Sequence, residues 1–205
     1  MVMEDKCITV NQLEQSMEIS SGAIHTILTT ELGYRSICGK WVPHKLSENQ
    51  RLARLNIDKK LLETYENCDS RRLTEIITGD ETASASKFDK NIEKYRPKTG
   101  TRGMKILIDN ASSHTAKLTK NFLDVEGLEL FPHPPYSPNL APCDFWLFPK
   151  LKIYLQGKDF NTLQALGTGL YQYFKSIPEE EFRNVFYKWV ERLKLCVSAG
   201  GDYFE

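Results

Sequence analysis

The chain has 205 residues, with 27 basic side chains balancing 27 acidic ones, 40% hydrophobic residues and 11% aromatic ones. That length lets a fold bury roughly 70% of the surface an unfolded chain exposes, and the composition excludes disordered and collagen-like classes. The zero balance argues against nucleic-acid binding through bulk charge alone. Cys7, Cys38, Cys68, Cys143 and Cys196 are odd in number, widely spaced and free of any Cys-x-x-Cys pair. Neither a disulfide framework nor a zinc ribbon is expected, and a reducing intracellular setting follows. Glu4, Asp5 and Lys6 interrupt any secretory leader, and no run of eighteen apolar residues occurs, so neither secretion nor a membrane partner is expected.

The first segment reads as two short helices. Val10, Leu13 and Met17 share one helical face, and after a break at Glu18-Ile19-Ser20 the set Ile24, Ile27, Leu28 repeats the spacing up to Gly33. Ser20 or Ser21 suits the N-cap and Gly33 the stop, which gives helix-turn-helix spacing. In that geometry Ser21, Gly22, His25, Thr26 and Thr29 are placed to meet base edges or phosphates in a major groove. Two short amphipathic helices also occur in many small α domains, and His25 alone reads as a surface histidine. The run from Arg35 to His44, with Pro43, reads as an extended connector. A further helix is expected from Ser47 to Tyr65, capped by Ser47 with Gln50 three residues on, and with Leu52, Leu55, Leu61 and Leu62 on one side.

The second half alternates strands and helices. Leu73–Thr78 is a short apolar strand running into Gly79-Asp80, and Met104–Ile108 is a second strand running into Asp109-Asn110. A helix is expected to about Leu123, then a strand over Leu128–Phe131, then the stiff turn HPPYSPNLAP from His133 to Pro142. Asp144 falls in the first turn of a helix over Cys143–Gln156, where free N–H groups favour a carboxylate and where Pro149 should kink or split the helix. Two amphipathic helices follow, with Leu163, Leu166, Leu170, Tyr173, Phe174 and Ile177 on one and Phe182, Val185, Phe186, Trp189, Val190 and Leu193 on the other, both faces expected in the core. Between Ala83 and Asn121 nine Lys or Arg stand against three acids. That stretch suits a phosphate backbone and equally a solvated loop.

Acids at strand ends are what a two-metal nuclease requires, because carboxylates from separate elements must hold two divalent ions about 3.5–4 Å apart. Singly, Asp80 also fits a turn after Gly79, Asp109 an Asx-turn and Asp144 a helix-terminal charge. Their joint setting favours the catalytic reading, since each acid stands inside a longer characteristic string. The strings ITGDE (77–81), IDNASSHT (108–115), HPPYSPNLAPCDFWLF (133–148) and WVPHKL (41–46) resemble the signatures of mariner-family transposases. That family's motif is three aspartates with 34 residues between the last two, the number lying between Asp109 and Asp144. ITVNQLEQSMEISSGAIHTIL (8–28) resembles the family's second helix-turn-helix, and GDYFE (201–205) resembles its usual end.

The resemblance implies an α/β chain: an RNase H-like catalytic domain preceded by a small all-α helix-turn-helix domain. The expected boundaries are 1–40 for the DNA-binding domain, 41–70 for linker and connecting helix, and 71–205 for the catalytic domain. It further implies Asp80, Asp109 and Asp144 as ligands of two Mg²⁺ or Mn²⁺ ions, double-stranded transposon-end DNA as partner, a homodimer and a nuclear location. Only 28 residues lie between Asp80 and Asp109, where the family carries further strands, so an incomplete sheet is expected. The resemblance also implies a further helix-turn-helix and linker ahead of the point where Met1 stands, so weaker end recognition is expected. Two functions remain: metal-dependent cleavage and strand transfer, or a catalytically inactive remnant that only binds DNA or dimerises.

Overall fold

The computed structural model describes residues 2, 6–66, 73, 75–79, 103–110 and 117–204. Asp80 and most of the basic stretch from Ala83 lie outside the described residues.

The helix-turn-helix forms as the caps dictate. Thr9 and Gln12 make a reciprocal capping box at the start of α1 (Val10–Met17), and Glu18 ends that helix in the left-handed region at φ 56°. The Ser20 hydroxyl accepts the Ala23 amide at 3.4 Å and opens α2 (Ser21–Thr26), which continues as a wider π turn over Ile27–Glu31. Leu13, Ile24 and Leu28 are buried together.

The expected connector after Gly33 is instead a β-hairpin. Strands β1 (Tyr34–Ile37) and β2 (Lys40–Pro43) pair antiparallel with Ile37 opposite Lys40, leaving Cys38-Gly39 as a two-residue turn. Both turn residues have positive φ, 50° and 78°, the backbone of a type I′ turn whose twist matches the strands. Trp41 explains why the hairpin folds back. Its ring packs among Leu13, Ile24 and Leu28, its indole N–H donates to the Ile8 carbonyl at 2.9 Å, and its amide donates to the Lys6 carbonyl at 2.8 Å.

Helix α3 (Glu48–Tyr65) opens on the expected Ser47–Gln50 capping box. Its buried stripe differs from the leucine face read from the sequence: Arg54, Asp58, Leu61, Leu62 and Tyr65 are buried, while Leu52 is 48% exposed. Two charged residues thus occupy core positions, because Arg54 finds acceptors on the chain it packs against.

Three parallel strands, β3 (Ile76–Thr78), β4 (Lys105–Leu107) and β5 (Glu129–Leu130), lie in that order, with Ile76 beside Lys105 and Ile106 beside Leu130. Helix α4 (Lys117–Val125) lies on the crossover between β4 and β5. Around β4 the side chains alternate. Leu107 joins Leu61, Tyr65, Ile76, Phe131, Trp189 and Leu193, whereas Ile106 and Ile108 join Met104, Leu123 and Leu128. Apolar cover on both faces is why Ile106, Leu107 and Ile108 stand as consecutive apolar residues. Among the described residues β3 is the end of the sheet, as expected for an incomplete one.

The single helix expected over Cys143–Gln156 is split: a π turn covers Cys143–Leu147, and α5 (Phe148–Leu155) begins with Pro149 in its first turn. Helices α6 (Leu163–Ser176) and α7 (Glu179–Ser198) follow. The α7 face enters the core as expected through Val185, Trp189, Val190 and Leu193. The α6 face does not: no residue of that helix is fully buried, and Leu163 is 88% exposed. Its apolar side meets α5 instead, where Tyr173 stacks on Tyr154 at 4.2 Å and the Tyr154 hydroxyl donates to the Gly169 carbonyl at 3.1 Å. Glycine permits that approach, since a Cβ at 169 would stand 2.9 Å from the Phe160 ring.

Candidate active site

Asp109 stands two residues beyond β4, so the most deeply covered strand of the sheet carries it to the carboxyl end of the parallel strands, where ligands of open α/β sheets collect. Asp144 arrives from a different element. Its amide donates at 2.9 Å to the Ala141 carbonyl, just ahead of the π turn, and the residue is 2% exposed.

The proline-rich segment that delivers Asp144 is fixed from two sides. The buried Arg54 guanidinium donates from Nη1 to the Ser137 hydroxyl and to Asn139 Oδ1, from Nε to the Gly201 carbonyl at 2.7 Å, and from Nη2 to the Asp202 carbonyl at 3.3 Å. The Arg192 guanidinium adds a bond to the Asn139 carbonyl at 3.2 Å. At the other end the Asn110 side-chain amide donates to the His133 carbonyl at 2.6 Å, tying the residue after Asp109 to the start of the same segment. Prolines 134 and 142, both among the most deeply buried side chains, remove backbone freedom between these ties.

The two carboxylates meet on one cation. The Lys40 ammonium, at the start of β2, lies 3.0 Å from Asp144 Oδ1 and 3.6 Å from Asp109 Oδ2. Those two distances bring the oxygens within about 6.6 Å of each other, inside the span that a pair of ions about 3.5–4 Å apart can bridge. A cavity of about 200 Å³ opens beside them, lined by Lys6, Asn110, His133 and Tyr136 as well as the acids. Burial pushes the His133 imidazole down to about 4, with Arg54 and Lys40 adding to the shift and Asp109 opposing it, so the ring is neutral at pH 7.

Hard carboxylate oxygens gathered round a positive charge suit Mg²⁺ or Mn²⁺, and a short acid on a rigid element fixes each donor. Asp109 and Asp144 therefore fit a divalent centre. The expected third acid, Asp80, lies outside the described residues, and among the described residues no group of three or more His, Cys, Asp or Glu is gathered.

Residues 67–167, which contain both acids, match the DDE superfamily endonuclease family. The Mariner Mos1 transposase of Drosophila mauritiana is 26% identical over 266 residues, an alignment covering 98% of this chain and 76% of that protein. The chain belongs to the mariner transposase family. The crystal structure of the catalytic domain of Mos1 mariner transposase superposes at a TM-score of 0.67 with 27% identity, covering 80% of this mariner-family chain and the whole of that domain. The α/β, RNase H-like class read from the sequence is therefore the fold. The Mos1 mariner paired end complex with Mn matches over the whole of this chain and 78% of its own at 25% identity and a TM-score of 0.68. The 266 aligned positions exceed the 205 residues here, so at least 61 positions of the Mos1 relative have no counterpart in this member.

The five residues expected to read DNA in this mariner-family chain lie along α2 and its π turn. Gly22, His25 and Thr26 are exposed, while Ser21 and Thr29 are half-buried. The Ser21 amide and hydroxyl both donate to the Glu14 carboxylate of α1, fixing the angle between the helices. The Thr26 hydroxyl donates to the Gly22 carbonyl at 3.0 Å and the Thr29 hydroxyl to the His25 carbonyl at 2.8 Å. Their oxygens are left as acceptors, which narrows what those threonines can offer to DNA.

Three site residues escaped the sequence reading. Lys40 was hidden in a stretch read as a linker, and no charge pattern pointed to it. Arg54 lay on a helix whose leucines defined the expected face. His133 stood in the quoted HPPYSPNLAP string, yet only the tertiary fold shows it buried beside Asp109.

Proposed function

We propose that this chain is a metal-dependent DNA-cutting transposase acting at the ends of its own element. The observation that carries the reading is the convergence of Asp109 and Asp144, delivered by separate elements onto one cation in a domain of the DDE endonuclease family. Asp80 completes the set as the third ligand of two Mg²⁺ or Mn²⁺ ions, in line with the manganese named for the Mos1 paired end complex. These acids would hold the ions, which would supply activation of an attacking water or 3′-hydroxyl and stabilisation of the leaving oxygen. Asp144 provides a buried, fixed ligand and Asp109 a half-buried one facing the cavity through which a strand enters. Neutral His133 lines that entrance without adding charge.

Gly22, His25 and Thr26 face the major groove of double-stranded DNA, and Ser21 and Thr29 shape that helix. Two copies of the chain hold two ends, and the location is nuclear because the substrate is. We read the shortening against Mos1 as lying between Asp80 and Asp109, where only 28 residues stand. It supports a second reading, an inactive remnant that binds DNA or dimerises, because fewer strands flank the first acid. A nicking assay on supercoiled plasmid decides. Mg²⁺-dependent nicking that Asp109→Ala abolishes is expected, and nicking that is absent or indifferent to the substitution rejects the catalytic reading.

A further inference from the structure

The ammonium that joins the two acids comes from a rigid support. Lys40 follows the two-residue turn at Cys38-Gly39, stands opposite Ile37, and precedes Trp41, whose ring and both N–H groups are fixed by the helix-turn-helix core and by the Lys6 and Ile8 carbonyls. A solvent-exposed lysine pair contributes little because holding the side chain costs entropy and water screens the charge. Here the Lys40 side chain is 13% exposed and that of Asp144 is 3% exposed, so screening is weak and the hairpin has already fixed the backbone.

We propose that Lys40 is an internal counter-cation of the acidic pair: it holds Asp109 and Asp144 together in the metal-free protein, and a divalent ion must displace it to bind. The inference rests on the reading of those acids as metal ligands. An ion coordinated by a carboxylate sits about 2.0–2.1 Å from its oxygen, within the space the ammonium fills at 3.0 Å from Asp144. Charge gives the same result. One ammonium against these two carboxylates leaves a single negative charge, and each divalent ion that enters adds two positive charges, a surplus that repels the ammonium. Lys6, whose ammonium stands 5.1 Å from the Tyr136 ring at the same cavity, makes that surplus worse. Metal loading therefore breaks the ion-pair tie between the acids and a hairpin that is pinned to the helix-turn-helix through Trp41. Occupancy of the acidic pair and the setting of the helix-turn-helix become linked equilibria.

The test is Mn²⁺ binding to the full chain by calorimetric titration, with thermal melts of each variant with and without saturating Mn²⁺. Lys40→Met should bind Mn²⁺ about tenfold more tightly than the parent. Its metal-free melting temperature should fall, while the Mn²⁺-saturated value stays near the parent's. Lys40→Gln repeats the measurement should the methionine variant fold poorly, and Lys40→Arg should restore the parent affinity. Equal or weaker binding in both neutral variants overturns the proposal. Asp109→Asn separates the two inferences: if the parent loses Mn²⁺ binding with that change but Lys40→Met does not tighten it, the counter-cation role alone fails. If Asp109→Asn binds as the parent does, the ligand assignment and the role of Lys40 fail together.

Discussion

Replacing Asp58 by asparagine should stabilise the protein at neutral pH although it removes a buried charge next to a buried arginine. Asp58 is fully buried on α3, one turn after Arg54 and against Cys196 of α7. Burial pushes its carboxyl from 3.8 up to about 6, with the Cys196 thiol and the Arg54 guanidinium opposing the shift. A raised acid binds its proton more firmly folded than unfolded, so stability is greatest when the group is protonated and falls as pH rises through the window between those values. At 1.36 kcal/mol per pH unit, the loss grows from about 1 kcal/mol at pH 4.5 to about 3 kcal/mol at pH 7.5. Asparagine keeps the shape and has no proton to lose. Urea unfolding of parent and variant across that range should show the variant's advantage widening by about 2 kcal/mol. A variant less stable than the parent at pH 7.5, or a difference that does not change with pH, refutes the reasoning.

Two further substitutions probe what holds the acids in place. Arg54→Met should cost about 3–5 kcal/mol in urea unfolding, because it leaves Asp58 as an uncompensated buried charge and frees the proline-rich segment; adding Asp58→Asn should return part of that loss. Gly201→Ala should lower stability by about 1–3 kcal/mol, measured as a drop in melting temperature. Residue 201 has φ 85°, and a Cβ there would stand 2.1 Å from the Arg51 carbonyl oxygen.

What could be read from the sequence follows from where the physics is local. Ser47 and Gln50 cap by side chains three residues apart, so the start of α3 was visible in the chain itself, whereas the same local signal at Thr9–Gln12 went unread. Both sides of β4 are covered, so its apolar run and the position of Asp109 were plain as well. The hairpin was not, because its type I′ turn is Cys38-Gly39 where an Asn-Gly or Asp-Gly pair would have signalled it. The buried stripe of α3 was misread because Arg54 and Asp58 stand where apolar residues were sought, and only contacts over more than eighty positions of sequence satisfy Arg54. Pattern could not tell that α6 pairs with α5 outside the core, since a helix gives the same period whether its apolar side meets a core or one neighbour. The site was legible as a set of aspartates but not as acids sharing a cation, for Lys40 reaches it from a hairpin far away in sequence.

The bond from Arg54 to the Gly201 carbonyl spans 147 positions of sequence. During synthesis at roughly 5–20 residues per second, α3 is complete for about 7–30 s before that acceptor exists. In that interval the guanidinium must stay hydrated, so the helix cannot settle into its final place and its apolar neighbours remain open to water. The length of chain still to be made after α3 thus sets how long that surface stays wet, and slow codons there would lengthen the interval without altering a single side chain.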